Sequence, residues 1–124
     1  MKRSSAVGRP ASLGALRDAL RRFASDRDWN QFHSPKNLAI ALNVEAAELL
    51  EHFQWMSEAE STALDPEQQA KVRQEAADVL LYLVRLADKL GIDLLAAASE
   101  KIALNAKKYP VEKARGSSKK YTEL

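Results

Sequence analysis

Cysteine is absent from the 124 residues. That excludes disulfides and thiolate metal sites, and nothing points to an oxidising compartment. Histidine is almost absent as well. His33 and His52 are the only two, and neither falls three residues after a glutamate, so the Glu-x-x-His pairs of helical di-iron proteins cannot form. Zinc, which commonly takes His or Cys, is disfavoured for the same reason. No uninterrupted apolar run approaches the roughly 20 residues needed to cross a bilayer. The start, Met1-Lys2-Arg3-Ser4-Ser5, is basic with no apolar region behind it and does not read as a secretory signal, so a cytoplasmic protein is expected. No segment shows the alternation of a half-buried strand, and no internal repeat is present.

What remains is an ordinary globular composition, 46% hydrophobic and 29% charged, on a chain sized for one domain. The net charge of +2 hides a division: residues 1–11 carry +3 and residues 111–124 carry +2, which leaves −3 for residues 12–110. A nucleic-acid-binding role would have to work through these basic tails, and the acidic centre argues against it.

Residues 1–11, rich in Ser, Gly, Pro and Arg, are expected to be a disordered tail. Ser12 caps a first helix with Leu13, Leu16, Leu20 and Phe23 at helical spacing, ending near Asp26. An aromatic and polar connector, Asp28 to His33, precedes the Ser34-Pro35 start of a second helix. Leu38, Ala41, Leu42, Glu45, Glu48, Leu49 and Phe53 share one broad face of that helix. Residues 54–64 connect, with one helical turn expected after Ser57. Asp65-Pro66 opens a third helix through Val72, Glu75, Val79, Tyr82, Leu83 and Leu86 to a stop at Gly91. Asp93 caps a fourth helix, with Leu94, Ile102 and Leu104, that ends before Pro110. Residues 111–124, with Gly116-Ser117-Ser118-Lys119-Lys120, read as a flexible basic tail. The fold class is therefore all-α, a four-helix domain over residues 12–110.

Two acidic spacings stand out, Glu45-Ala46-Ala47-Glu48 and Glu75-Ala76-Ala77-Asp78. On a helix each pair lies on one face. A single Glu-x-x-Glu would read as a solvated face, but both pairs lie among small and apolar residues. No lysine or arginine follows Lys36 in the second helix to form an i,i+4 partner. Four carboxylates meeting in a helical core repel one another and are costly to desolvate unless a cation sits between them. Oxygen-only ligands favour a hard ion, Mg²⁺ or Mn²⁺. Magnesium usually binds through carboxylates together with substrate phosphates, so a phosphorylated substrate is expected. Lys101, Asn105 and Lys108, with Tyr109 beside them, share a face of the fourth helix that could meet phosphate; a solvated basic helix end is the other reading. Trp29 and Trp55 lie just outside helices, where they could stack a nucleobase or simply pack in the core.

These residues resemble the MazG-like, all-α nucleoside triphosphate pyrophosphohydrolases. Arg27-Asp28-Trp29-Asn30-Gln31-Phe32-His33, then Pro35 and Asn37-Leu38, is similar to the dCTP pyrophosphatase branch. So are Phe53-Gln54-Trp55, Asp78-Val79-Leu80 with Tyr82-Leu83, and Lys101 to Asn105 followed by Lys108-Tyr109-Pro110. The resemblance spans residues 12–110. It implies Mg²⁺-dependent hydrolysis of a (deoxy)nucleoside triphosphate, dCTP or a modified dCTP, to the monophosphate and pyrophosphate.

By the same resemblance Glu45, Glu48, Glu75 and Asp78 are the metal ligands. Trp29 and Trp55 flank the base, Tyr82 lines the nucleotide pocket, and Lys101, Asn105, Lys108 and Tyr109 lie near the phosphates. His33 and Asn37, within the matching segment, join the substrate-binding set. The implied assembly is a homodimer or a dimer of dimers, with no membrane and no nucleic-acid partner. Water would attack the α-phosphorus, oriented or deprotonated by Glu48 or, one turn further on, Glu51. Leu20 departs from the branch, which carries a pocket histidine at that position, so base discrimination is expected to be weakened. The competing reading is a non-catalytic nucleotide-binding helical dimerisation module.

Overall fold

Each long helix begins where a side chain can close its first turn. Ser12, Ser34, Asp65 and Asp93 sit in extended backbone and accept from the N–H groups of Ala15, Asn37, Gln68 and Ala96. Each thereby satisfies a donor that the helix itself leaves orphaned. Pro35 and Pro66 stand at helix starts, where a missing N–H costs nothing. The computed structural model describes residues 8–124. In it these caps open the long members of the series α1 (Leu13–Asp26), α2 (Pro35–Glu51), α3 (Glu58–Ser61), α4 (Pro66–Lys89), α5 (Leu94–Lys108) and α6 (Val111–Ala114). The short α3 is the turn expected after Ser57, closed by a reciprocal pair of hydrogen bonds between Ser57 and Glu60. No strand occurs among the described residues, and no helix there is long and apolar enough to cross a membrane.

The chain divides into two compact units, one through Gly91 and one over Ile92–Leu124. In the first, α4 lies against both α2 and α1. The inward face of α2 is the one its spacing predicts: Leu38 is buried, Ala41, Leu42, Glu45, Glu48, Leu49 and Phe53 are half-buried, and Ile40, Val44 and Leu50 face outward. On α4, Leu83 is 37% exposed, whereas Val84, Arg85 and Ala87 are buried. Because α4 meets a helix on two sides, its C-terminal half buries a second strip that includes a guanidinium.

The connector after α1 is shaped by Asp28, whose φ of 55° lies in the left-handed region, a conformation that Asp tolerates better than most side chains. Gln31 braces it, its Nε2 donating to the Asp28 carbonyl at 3.0 Å and to Asp28 Oδ2 at 3.2 Å. A single 3₁₀ turn, Asn30–Phe32, follows. Gly91, at φ 67°, ends the first unit where a side chain would strain the backbone.

Of the expected N-terminal tail, residues 1–7 lie outside the described residues, and 8–11 have no regular structure. Residues 111–124, read above as a flexible tail, carry two short helical turns, α6 and a 3₁₀ turn at Tyr121–Glu123. Tyr121 packs edge-on against Tyr109 at 6.0 Å, and Lys108 Nζ lies 5.0 Å from the Tyr121 ring centre. Gly/Ser/Lys composition hides such aromatic anchors.

Candidate metal centre

Where α2 faces α4, the acid pairs approach each other. Glu45 and Glu48 from α2 and Glu75 from α4 each offer a carboxylate oxygen, all within 4.8 Å of one another. All three are half-buried, as is Asp78 one turn beyond Glu75. Asp78 lies outside the close trio, yet its charge reaches Glu45. Glu45 Oε2 and Glu75 Oε2 are shut off from solvent and accept no hydrogen bond. Two ionised carboxylates have no donor to share between them. The Glu45 carboxyl is accordingly pushed up to about 7, first by Glu75, with which it would share a proton, then by burial, then by Glu48 and Asp78.

Orphaned buried acceptors and crowded negative charge are conditions that a hard divalent cation relieves, and an all-oxygen donor set suits such an ion. The trio fits a metal. The sequence expected four ligands. The structure gathers three of them and leaves Asp78 at the edge of the group.

The other sequence-assigned residues divide by place. Glu51, the second candidate for activating water, is exposed and outside the trio, whereas Glu48 is within it. Tyr82 is half-buried on α4, one turn past Asp78. Trp55, just past α2, is 88% exposed. Trp29 meets Phe23 edge-on at 5.6 Å and His33 edge-on at 6.2 Å. Asn37 has a structural duty: its Nδ2 donates to the Phe32 carbonyl at 3.0 Å and fastens the 3₁₀ turn to the start of α2. Lys101, Asn105 and Lys108 are exposed along α5 in the second unit, and Tyr109 follows them half-buried.

The sequence reading missed a buried polar cluster on the same unit. Arg85 donates from Nε to His33 Nδ1 at 3.2 Å, from Nη1 to Asp88 Oδ2 at 3.4 Å and from Nη2 to Asn30 Oδ1. Arg21 of α1 grips Asp88 with two bonds, 2.8 Å to Oδ2 and 2.5 Å to Oδ1. The Asp88 carboxyl is held below the usual range, chiefly by Arg21. His33 is pushed down by burial and then by the charges of Arg85 and Lys89. One signal was available: Arg85 and Asp88 are charges three apart within an apolar row, the same anomaly that exposed the glutamates.

Residues 40–124 match the MazG-like family. The chain is 48% identical over 104 residues to dCTP pyrophosphatase 1 of Rattus norvegicus and 46% identical to that of Homo sapiens, with 82% of this chain and 61% of each relative covered. It thus spans about three fifths of the length of these two relatives. A crystal structure of a pyrophosphatase from Archaeoglobus fulgidus shares the fold with a TM-score of 0.76 and 38% identity, over 86% of this chain and 99% of that one. All-helical architecture, facing acid pairs and these matches agree, and the chain belongs to the MazG-like family.

Proposed function

We propose that this chain is a nucleoside triphosphate pyrophosphohydrolase acting on dCTP or a modified dCTP, with Mg²⁺ held by Glu45, Glu48 and Glu75 and supported by Asp78. The observation that carries this reading is the trio of carboxylates with two orphaned buried oxygens. The relatives named dCTP pyrophosphatase supply the substrate class. When bound, Mg²⁺ supplies charge neutralisation for the phosphate oxygens and the departing pyrophosphate.

The chain's own groups do the rest. Glu48, through a carboxylate oxygen not taken up by the metal, orients or deprotonates the attacking water; it lies within the trio, whereas Glu51 is exposed and outside it. Trp29 and Trp55 stack the base, contacts worth about 1–3 kcal/mol per base. Tyr82 lines the nucleotide, and the resemblance to the dCTP pyrophosphatase branch assigns Lys101, Asn105, Lys108 and Tyr109 of the second unit to the phosphates. Asn37 serves the site by bracing the turn that carries Trp29 and His33. Leu20, half-buried on α1, offers no hydrogen bond, so that position contributes nothing to discrimination among bases or sugars. The working form is a homodimer or a dimer of dimers, a reading supported by outward-facing Phe32, Ile40, Leu50 and Trp55.

Product analysis tests the reaction. With Mg²⁺ and a panel of canonical and 5-modified deoxynucleoside triphosphates, the expected products are monophosphate and pyrophosphate in equal amounts. Predominant release of single phosphate contradicts the cleavage position, and no turnover of any member contradicts the activity.

A further inference from the structure

The buried guanidinium of Arg85 lies on a helix whose catalytic acids it does not touch, and the reaction above makes no use of it. Its surroundings nevertheless determine what the segment around Trp29 can offer a ligand. Arg85 is only 5% exposed and spends its donors on three acceptors in turn: His33 Nδ1, Asn30 Oδ1 and Asp88 Oδ2. Asp88, gripped from the other side by Arg21, fixes where the guanidinium sits.

A guanidinium donates and never accepts. His33 Nδ1 must therefore present its lone pair to Arg85 Nε, and the neutral ring must carry its proton on Nε2. A protonated ring would set N–H against N–H at 3.2 Å. The downward push on His33 from burial and from Arg85 and Lys89 acts in the same direction. Asn30 Oδ1 is likewise taken, by Arg85 Nη2 and by Lys89 Nζ at 3.4 Å, which settles the orientation of its amide. Neither His33 Nε2 nor Asn30 Nδ2 has a hydrogen-bond partner among the described residues. Both groups belong to the turn that carries Trp29, and the His33 ring stands edge-on to the indole.

We propose that Arg85 is a positioning residue: by holding His33 Nδ1 and Asn30 Oδ1 as acceptors it leaves His33 Nε2–H and the Asn30 amide as donors beside Trp29, and so selects a base whose facing edge carries acceptors. The ring nitrogen and carbonyl of cytosine form such an edge. This rests on the reading above that Trp29 flanks the base.

The test begins with ¹⁵N NMR of the full chain, assigned with His52→Gln, which leaves His33 as the single histidine. The expected result is the Nε2–H tautomer, neutral across pH 6–8. Arg85→Met should mix the tautomers and raise KM for dCTP roughly five- to tenfold, about one lost hydrogen bond, with kcat kept within about twofold. Arg85→Lys should recover part of the KM. An Nδ1–H tautomer or a charged His33 in the unsubstituted protein overturns the proposal, whether or not Arg85→Met folds. So does a fall in kcat at unchanged KM. If the unsubstituted protein does not hydrolyse dCTP, the proposed function fails, while the NMR result still decides the tautomer.

Discussion

Glu75→Gln lowers kcat/KM for dCTP by on the order of 10²–10³-fold, the scale set by loss of one preorganised electrostatic contact in a catalytic site. The same substitution raises the melting temperature of the metal-free protein. Both effects come from one place. Glu75 Oε2 is closed to solvent, accepts no hydrogen bond and lies against Glu45. As a carboxylate it helps hold a cation and, without one, repels its neighbours; as an amide it can donate to Glu45 and no longer repels. A structural glutamate would show losses in both measurements, so opposite signs identify a ligand. Steady-state kinetics and a thermal melt in chelator give the two readings, and undiminished turnover would remove Glu75 from the site.

Asp88→Ala destabilises the fold by about 3–5 kcal/mol, the usual cost of leaving one partner of a buried ion pair uncompensated. The Asp88 and Arg85 side chains are 8% and 6% exposed, so solvent cannot replace the lost partner. Arg21→Ala costs less, because Arg21 is more than half exposed and its interaction is screened. The pH dependence follows from the lowered carboxyl of Asp88. A carboxylate with a depressed folded value contributes fully above the ordinary aspartate value of about 3.9 and loses that contribution as pH falls through its folded value. The stability difference between the unsubstituted protein and Asp88→Ala should therefore stay level from pH 8 to 5 and shrink below pH ~4. Urea unfolding across that range measures it, and a difference that grows on acidification would contradict the pairing.

The acid pairs were legible in the sequence because each sits among small and apolar residues at helical spacing, and no base follows Lys36 on α2 to answer the first pair. Leu38, Leu42, Leu49 and Phe53 fixed the face of α2 that carries Glu45 and Glu48 inward, and the caps at Ser34 and Asp65 fixed where the helices begin. Periodicity could not show the turn at Trp29, which depends on a left-handed Asp28 and on Asn37 reaching back to Phe32. Arg85 escaped for a related reason. Its partners Asn30 and His33 are 55 and 52 residues away, and a charge near a helix end reads as solvated until the packing on both sides is known. Spacing likewise cannot measure distance across two helices, so it could not show that Glu45, Glu48 and Glu75 form the close trio while Asp78 acts on Glu45 from outside it.

Calorimetric titration of Mg²⁺ into the protein, run at pH 7 and 9 in buffers of different ionisation enthalpy, tests whether the carboxylate trio holds the metal. Glu45, raised to about 7, keeps part of its proton at neutral pH. The metal-free protein therefore has a contribution to stability below the ordinary glutamate value that is lost as pH rises through about 7, and Mg²⁺ binding must release the proton that remains. Binding should release a fraction of a proton at pH 7 and essentially none at pH 9, and should weaken markedly in Glu45→Gln. Absence of binding, or binding unchanged by Glu45→Gln, would contradict a metal held by the trio.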